Sequence, residues 1–260
     1  MTTDSRLGVI RGLLAKAEAT PFPAEAEAFT AKASELMARY AIDEALIWST
    51  AVDPGLPSER TIVLQRPYVS QKAYLVHRVA SVFGCSAIRL MGGSGAPSEP
   101  VSVVGYEPDL DLVEAMVTSL LVQAAQAMVV DQPTGLTSSG AAAFRRSHLM
   151  GFIETACARL ADVHRDAVVR TARSDRADDD SIDLRNDSRP PASVALVLAD
   201  RTESVDAEFA RRYPRVRSSR ISFGSSLDGH RSGRAAGERA DLGSSRLGHR
   251  DQIGAAGDRP

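Results

Sequence analysis

The stretch VSVVGYEPDLDLVEAM, residues 101–116, changes its hydrophobic period midway, and that change decides the fold class. VSVVGY (101–106) is short, β-branched and bounded by turn residues, which predicts a strand. GYEPDLDLVEAM (105–116) then reads as a strand-to-helix junction. Pro108 stands near the first helical position, where its missing N–H costs nothing. Asp109, Asp111 and Glu114 fall in the first turns, where carboxylates suit the positive end of the helix dipole. The helix is expected to reach about Val130, with Leu110, Val113, Val117, Leu120 and Met128 buried against a sheet.

Working outward, RTIVLQ (60–65) and CSAIRLM (85–91) predict two more strands, with an amphipathic helix over about 71–83 between them. Leu75, Val79 and Val82 or Phe83 form its apolar face. GGSGAPSEP (92–100) reads as a hairpin-type loop and not a phosphate-binding one, because no helix opens directly after it and no Lys follows. A second long helix is expected at about 141–170, carrying Leu149, Phe152 or Ile153, Ala156, Leu160 and Val163. The polar run 171–193 predicts a mobile acidic loop. VALVLAD (194–200) predicts a strand, ESVDAEFARRY (203–213) a helix, and SSLDGHRSGRAAGERADLG (225–243) the last element. From Ser244 to Pro260 a disordered tail is expected.

The N-terminal 48 residues have a different texture. Leu7, Ile10, Leu14 and Ala17 lie on one face of a helix, TPFP (20–23) breaks it, and a second helix begins near Ala24. Phe29, Ala33, Leu36 or Met37, and Tyr40 make its stripe, and its many alanines favour helix and close approach. The expected organisation is therefore α+β: a helical hairpin (1–48), a Pro- and Gly-containing linker (49–59), and a small sheet covered by long helices (60–243).

Within the hairpin, LLAKAE (13–18), PAEAEA (23–28) and KASELMARY (32–40) carry a family resemblance. Residues 10–43 resemble the N-terminal module of a bacterial, phage and fungal family known as domain of unknown function 2786. VSVVGY, FRRSHLMGF and GRAAGERADL resemble the larger α+β domain that commonly follows that module. The resemblance implies an architecture; it implies no catalytic residue.

Bulk composition narrows the function classes. Hydrophobic content of 43% and charged content of 25% suit a soluble globular protein, and with aromatics at 5% the core must be filled by Leu, Val and Ala. Two cysteines make no disulfide framework, which points to a reducing cytoplasm. The charged N-terminus does not read as a signal peptide, and MVTSLLVQAAQAMVV (116–130) reads as too short and interrupted for a membrane span.

Catalytic signatures are sparse. His77, Cys85, His148, Cys157 and His164 fall in none of the usual metal-ligand spacings, so no metal or other cofactor is expected. Cys85 has no identifiable base, and no GxSxG elbow occurs. The acidic run RADDDSID (176–183) lacks the glycine and spacing of a calcium loop.

Two features remain. Gly229, Gly233 and Gly237 align along one helix face, at about 1 kcal/mol each relative to Ala, so either another backbone or a ligand must pack on them. The second feature is charge: residues 211–234 hold seven arginines and one acid, Asp228, in a chain of net charge −2. Arg211, Arg212, Arg215, Arg217 and Arg220, extended by Arg231 and Arg234, are candidate contacts to nucleic-acid phosphates. The competing reading pairs them with six Asp residues of the loop 175–187. The reading that follows is a non-catalytic nucleic-acid-associated binding protein. An enzyme without a linear motif and a protein-interaction role for the hairpin stay open beside it.

Overall fold

The computed structural model describes residues 3–20, 55–90, 96–179, 194–217, 221 and 224–242, with ten helical positions between 25 and 43. Its elements run α1 (Thr3–Ala19), β1 (Ser58–Gln65), α2 (Val69–Val82), β2 (Ser86–Arg89), β3 (Ser98–Gly105), α3 (Glu107–Asp131), α4 (Ser138–Asp179), α5 (Val194–Arg212) and α6 (Leu227–Arg239). The fold is α+β. The three strands form one antiparallel sheet in the order β1-β3-β2. Ser58 faces Gly105 in the first ladder, and Ser86 faces Val104 in the second. β3 is the central strand, and from Val101 to Gly105 it is buried on both faces.

Those two faces bury against different partners. Val101 and Val103 join the main core with Leu75, Val79, Leu112 and Met116, so α2 and α3 cover one side. Val104 and Tyr106 form a smaller cluster with Val205, flanked by Phe209 and Tyr213, so α5 covers the other side. Here the structure corrects the sequence reading, because 194–200 is the first part of a helix and not a strand. The β-branched residues favour a strand locally. The stripe Val197, Arg201, Val205, Glu208 is nonetheless buried at helical spacing, and tertiary packing prevails. A second difference lies at 171–179, expected as loop, where α4 continues as helix to Asp179. The remainder of that acidic segment, 180–193, lies outside the described residues, as do most of the linker 49–59 and the tail from Ser244.

α3 ends at Asp131, one residue beyond the expected Val130. By length and a mean hydropathy of 1.5 it would suffice to cross a bilayer, yet Leu110, Leu112, Val113, Met116, Val117 and Leu120 are core residues over the sheet. In the hairpin region Ile10, Leu14, Ala33, Met37 and Tyr40 are buried in that same cluster.

The glycine stripe has a backbone on it. α6 runs parallel to α4, and a Cβ at Gly229 would stand 2.5 Å from the Phe144 carbonyl oxygen. At Gly237 it would stand 2.8 Å from the Phe152 carbonyl oxygen, and at Gly233 it would overlap the His148 carbonyl outright. Glycines at 229, 233 and 237 thus match carbonyls at 144, 148 and 152, turn for turn. Both ends of α6 are tied down. Ser226 accepts the Gly229 N–H at 3.1 Å, while its own N–H donates to Ser147 Oγ at 3.1 Å. Arg159 Nη1 donates to the Gly237 and Ala240 carbonyls, both at 2.7 Å, which satisfies acceptors at the helix end.

Candidate functional site

The seven candidate arginines do not form one uniform patch. Arg211 and Arg212 lie in the last turn of α5 and are held by carboxylates. Arg211 donates twice to Glu208 at 2.7 Å. Arg212 donates to Glu208 at 2.6 Å and to Glu59 of β1 at 2.9 Å. The partners of these two arginines are Glu208 and Glu59, whereas the competing reading named the acidic loop 175–187, of which 180–187 lies outside the described residues. Tyr213 and Ser102 also donate to Glu59, which makes this network a clasp between α5 and the sheet.

Arg215 and Arg217 sit in the segment after α5 and are exposed. Arg231 and Arg234 are exposed on α6, three residues apart and on its outer face. Among the described residues none of these four has an ion pair. Arg220 lies outside the described residues.

Hydrogen bonds from Arg211, and then from Arg212, hold the Glu208 carboxyl at about 2, below its ordinary 4.5. A carboxylate whose folded value is depressed adds stability that is present above its unfolded value and lost as pH falls through the folded one. The clasp is therefore complete above about pH 4.5 and is lost between there and about pH 2. Glu208→Gln is expected to weaken the acid dependence of melting in that window. Thermal denaturation from pH 5 to pH 2, compared with wild type, checks it.

Cys85, Cys157 and His148 are buried, whereas His77 is exposed. Cys85 and Cys157 are free and buried, and burial raises both thiols, Cys157 to about 12, so neither is a thiolate at neutral pH. No cluster of three metal-ligating side chains occurs among the described residues. His148 is fully buried beneath α6, with Nε2 3.0 Å from Asp131 Oδ2. Ser232 donates to the same oxygen at 2.9 Å, so Asp131 links the end of α3 to both α4 and α6.

A separate cleft of about 180 Å³ opens where the end of α2, the start of α3, α4 and α5 converge. Arg201 of α5 donates to Asp109 of α3 at 2.7 Å and lies over the Tyr106 ring at 4.5 Å. His164 of α4 meets the Phe83 ring edge-on at 5.2 Å. Sequence reasoning missed this cleft, although Arg201 gives a signal: it stands midway between Val197 and Val205 on the buried stripe of α5.

The description "Protein of unknown function (DUF2786)" belongs to the family whose model matches residues 8–44, within the stretch expected to form the helical hairpin. No curated protein and no solved structure matches the chain.

Proposed function

We propose that the protein is a non-catalytic, nucleic-acid-associated binding protein, with Arg215, Arg217, Arg231 and Arg234 as phosphate contacts. One observation carries this reading: four exposed arginines between 215 and 234 have no ion pair among the described residues, and only Asp228 is acidic in that stretch. Arginine suits the task because its planar fork presents paired donors to phosphate oxygens. Arg220 belongs to the same run by sequence. Arg211 and Arg212 play a different part, since carboxylates already engage their forks. They fix the end of α5, from which Arg215 and Arg217 extend.

Salt titration of binding to short labelled duplex and single-stranded oligonucleotides tests the proposal. Four phosphate contacts on a duplex give a log–log slope of about −3 to −4. Replacing Arg215 and Arg217 by Ala flattens it by about 2 units. Arg212→Ala leaves it within about half a unit, because a paired arginine releases no phosphate counterion. Absence of measurable binding at low salt, or a slope indifferent to Arg215 and Arg217, overturns the reading.

A further inference from the structure

We propose that the cleft around Arg201 binds a small, uncharged planar ring presenting a carbonyl beside a ring N–H, the edge of a lactam. This site is distinct from the arginine run and stands or falls independently of it.

Arg201 has unspent hydrogen-bonding capacity. Arg201 is 5% exposed, yet its guanidinium makes one hydrogen bond among the described residues, to Asp109, and stacks on Tyr106. A guanidinium has five N–H donors, and those not spent on Asp109 keep contact with solvent, so a bound acceptor can take them in place of water. Arg201 lines the cleft, so an acceptor bound there can reach it.

Charge selects the kind of acceptor. Asp109 already neutralises Arg201, and it also occupies the first turn of α3, where the helix dipole would otherwise favour an anion. A carboxylate or phosphate entering the cleft would lie against Asp109. A neutral carbonyl takes the guanidinium donors without that repulsion.

The other polar groups are acceptors. Thr202 Oγ1 spends its proton on the Leu198 carbonyl at 2.9 Å, so its oxygen has only lone pairs left to offer. The ring nitrogens of His164 have no hydrogen bond among the described residues, and burial lowers its pKa, which leaves a neutral imidazole with one accepting nitrogen. Both line the cleft, together with Val82, Phe83 and Leu198. A donor beside acceptors between apolar walls complements a carbonyl next to an N–H on a flat ring. The volume sets the size: about 180 Å³ is below the ~300–1,000 Å³ of drug-sized sites, so a single ring fits.

The test uses the full chain with 2-pyridone as probe, and benzoate and toluene as ring-sized comparators, followed by ligand-observed NMR. Saturable 2-pyridone binding is expected, with both comparators at least about 10-fold weaker, the equivalent of one lost hydrogen bond. Thr202→Val and His164→Phe keep shape and each weaken 2-pyridone by about 10-fold while the melting temperature holds. Thr202 is exposed, so its variant stays informative if His164→Phe disturbs the fold. Benzoate binding as well as 2-pyridone, no saturable 2-pyridone signal, or unchanged binding in both variants overturns the proposal.

Discussion

Gly233→Ala lowers the melting temperature by roughly 5–15 °C, a loss of about 2–4 kcal/mol. In an ordinary helix the same change would stabilise by up to about 1 kcal/mol, because alanine has the better propensity. The sign reverses here because the added methyl would overlap the carbonyl oxygen of His148, an atom of the α4 backbone that no rotamer change can move. α6 would have to lift from α4, and its ties to Ser147, Asp131 and Gln123 would stretch with it. Gly12 of α1 supplies the control, since it is exposed and a Cβ there meets nothing within 4 Å. Gly12→Ala is expected to raise the melting temperature slightly. Circular-dichroism melts of the two variants check both directions, and equal behaviour would refute the backbone-contact account.

That contrast also shows what a sequence can carry. The stripe at 229, 233 and 237 is visible as a period of four, and its cost predicts that something packs on it. What packs there is invisible, because the partner surface is made of the carbonyls of Phe144, His148 and Phe152, and every residue type has a carbonyl. The strands and α3 are legible because β-branched runs and a proline at a helix start are local signals. VALVLAD fails for the complementary reason: its local content favours a strand, while the deciding stripe continues beyond it to Arg201, Val205 and Glu208. The arginines divide in the same way. Arg211 pairs with Glu208 three residues back, a spacing that can be read on a helix. Arg212 also reaches Glu59, 153 residues away, and only the assembled fold brings those two together.

Arg201→Met is expected to cost about 3–5 kcal/mol, as removal of one partner from a buried ion pair does. The side chains of Arg201 and Asp109 are 6% and 12% exposed, so the remaining carboxylate would lie nearly dry without its guanidinium partner. Tyr106 would lose the cation over its ring as well. The pair matters beyond its own energy because it joins the middle of α5 to the start of α3, across the face of the sheet that only a small apolar cluster covers. A double-mutant cycle separates the pair from the packing. If the cost of Arg201→Met is stranded charge, then Arg201→Met with Asp109→Asn loses less than the two single changes summed, by at least about 1–2 kcal/mol. Urea denaturation of the four proteins measures that coupling. Strict additivity would mean that the carboxylate is solvated once Arg201 is gone, and that α5 is held by its other contacts, among them Val205, Tyr106–Ser204, Ser86–Asp206 and the Glu59 clasp.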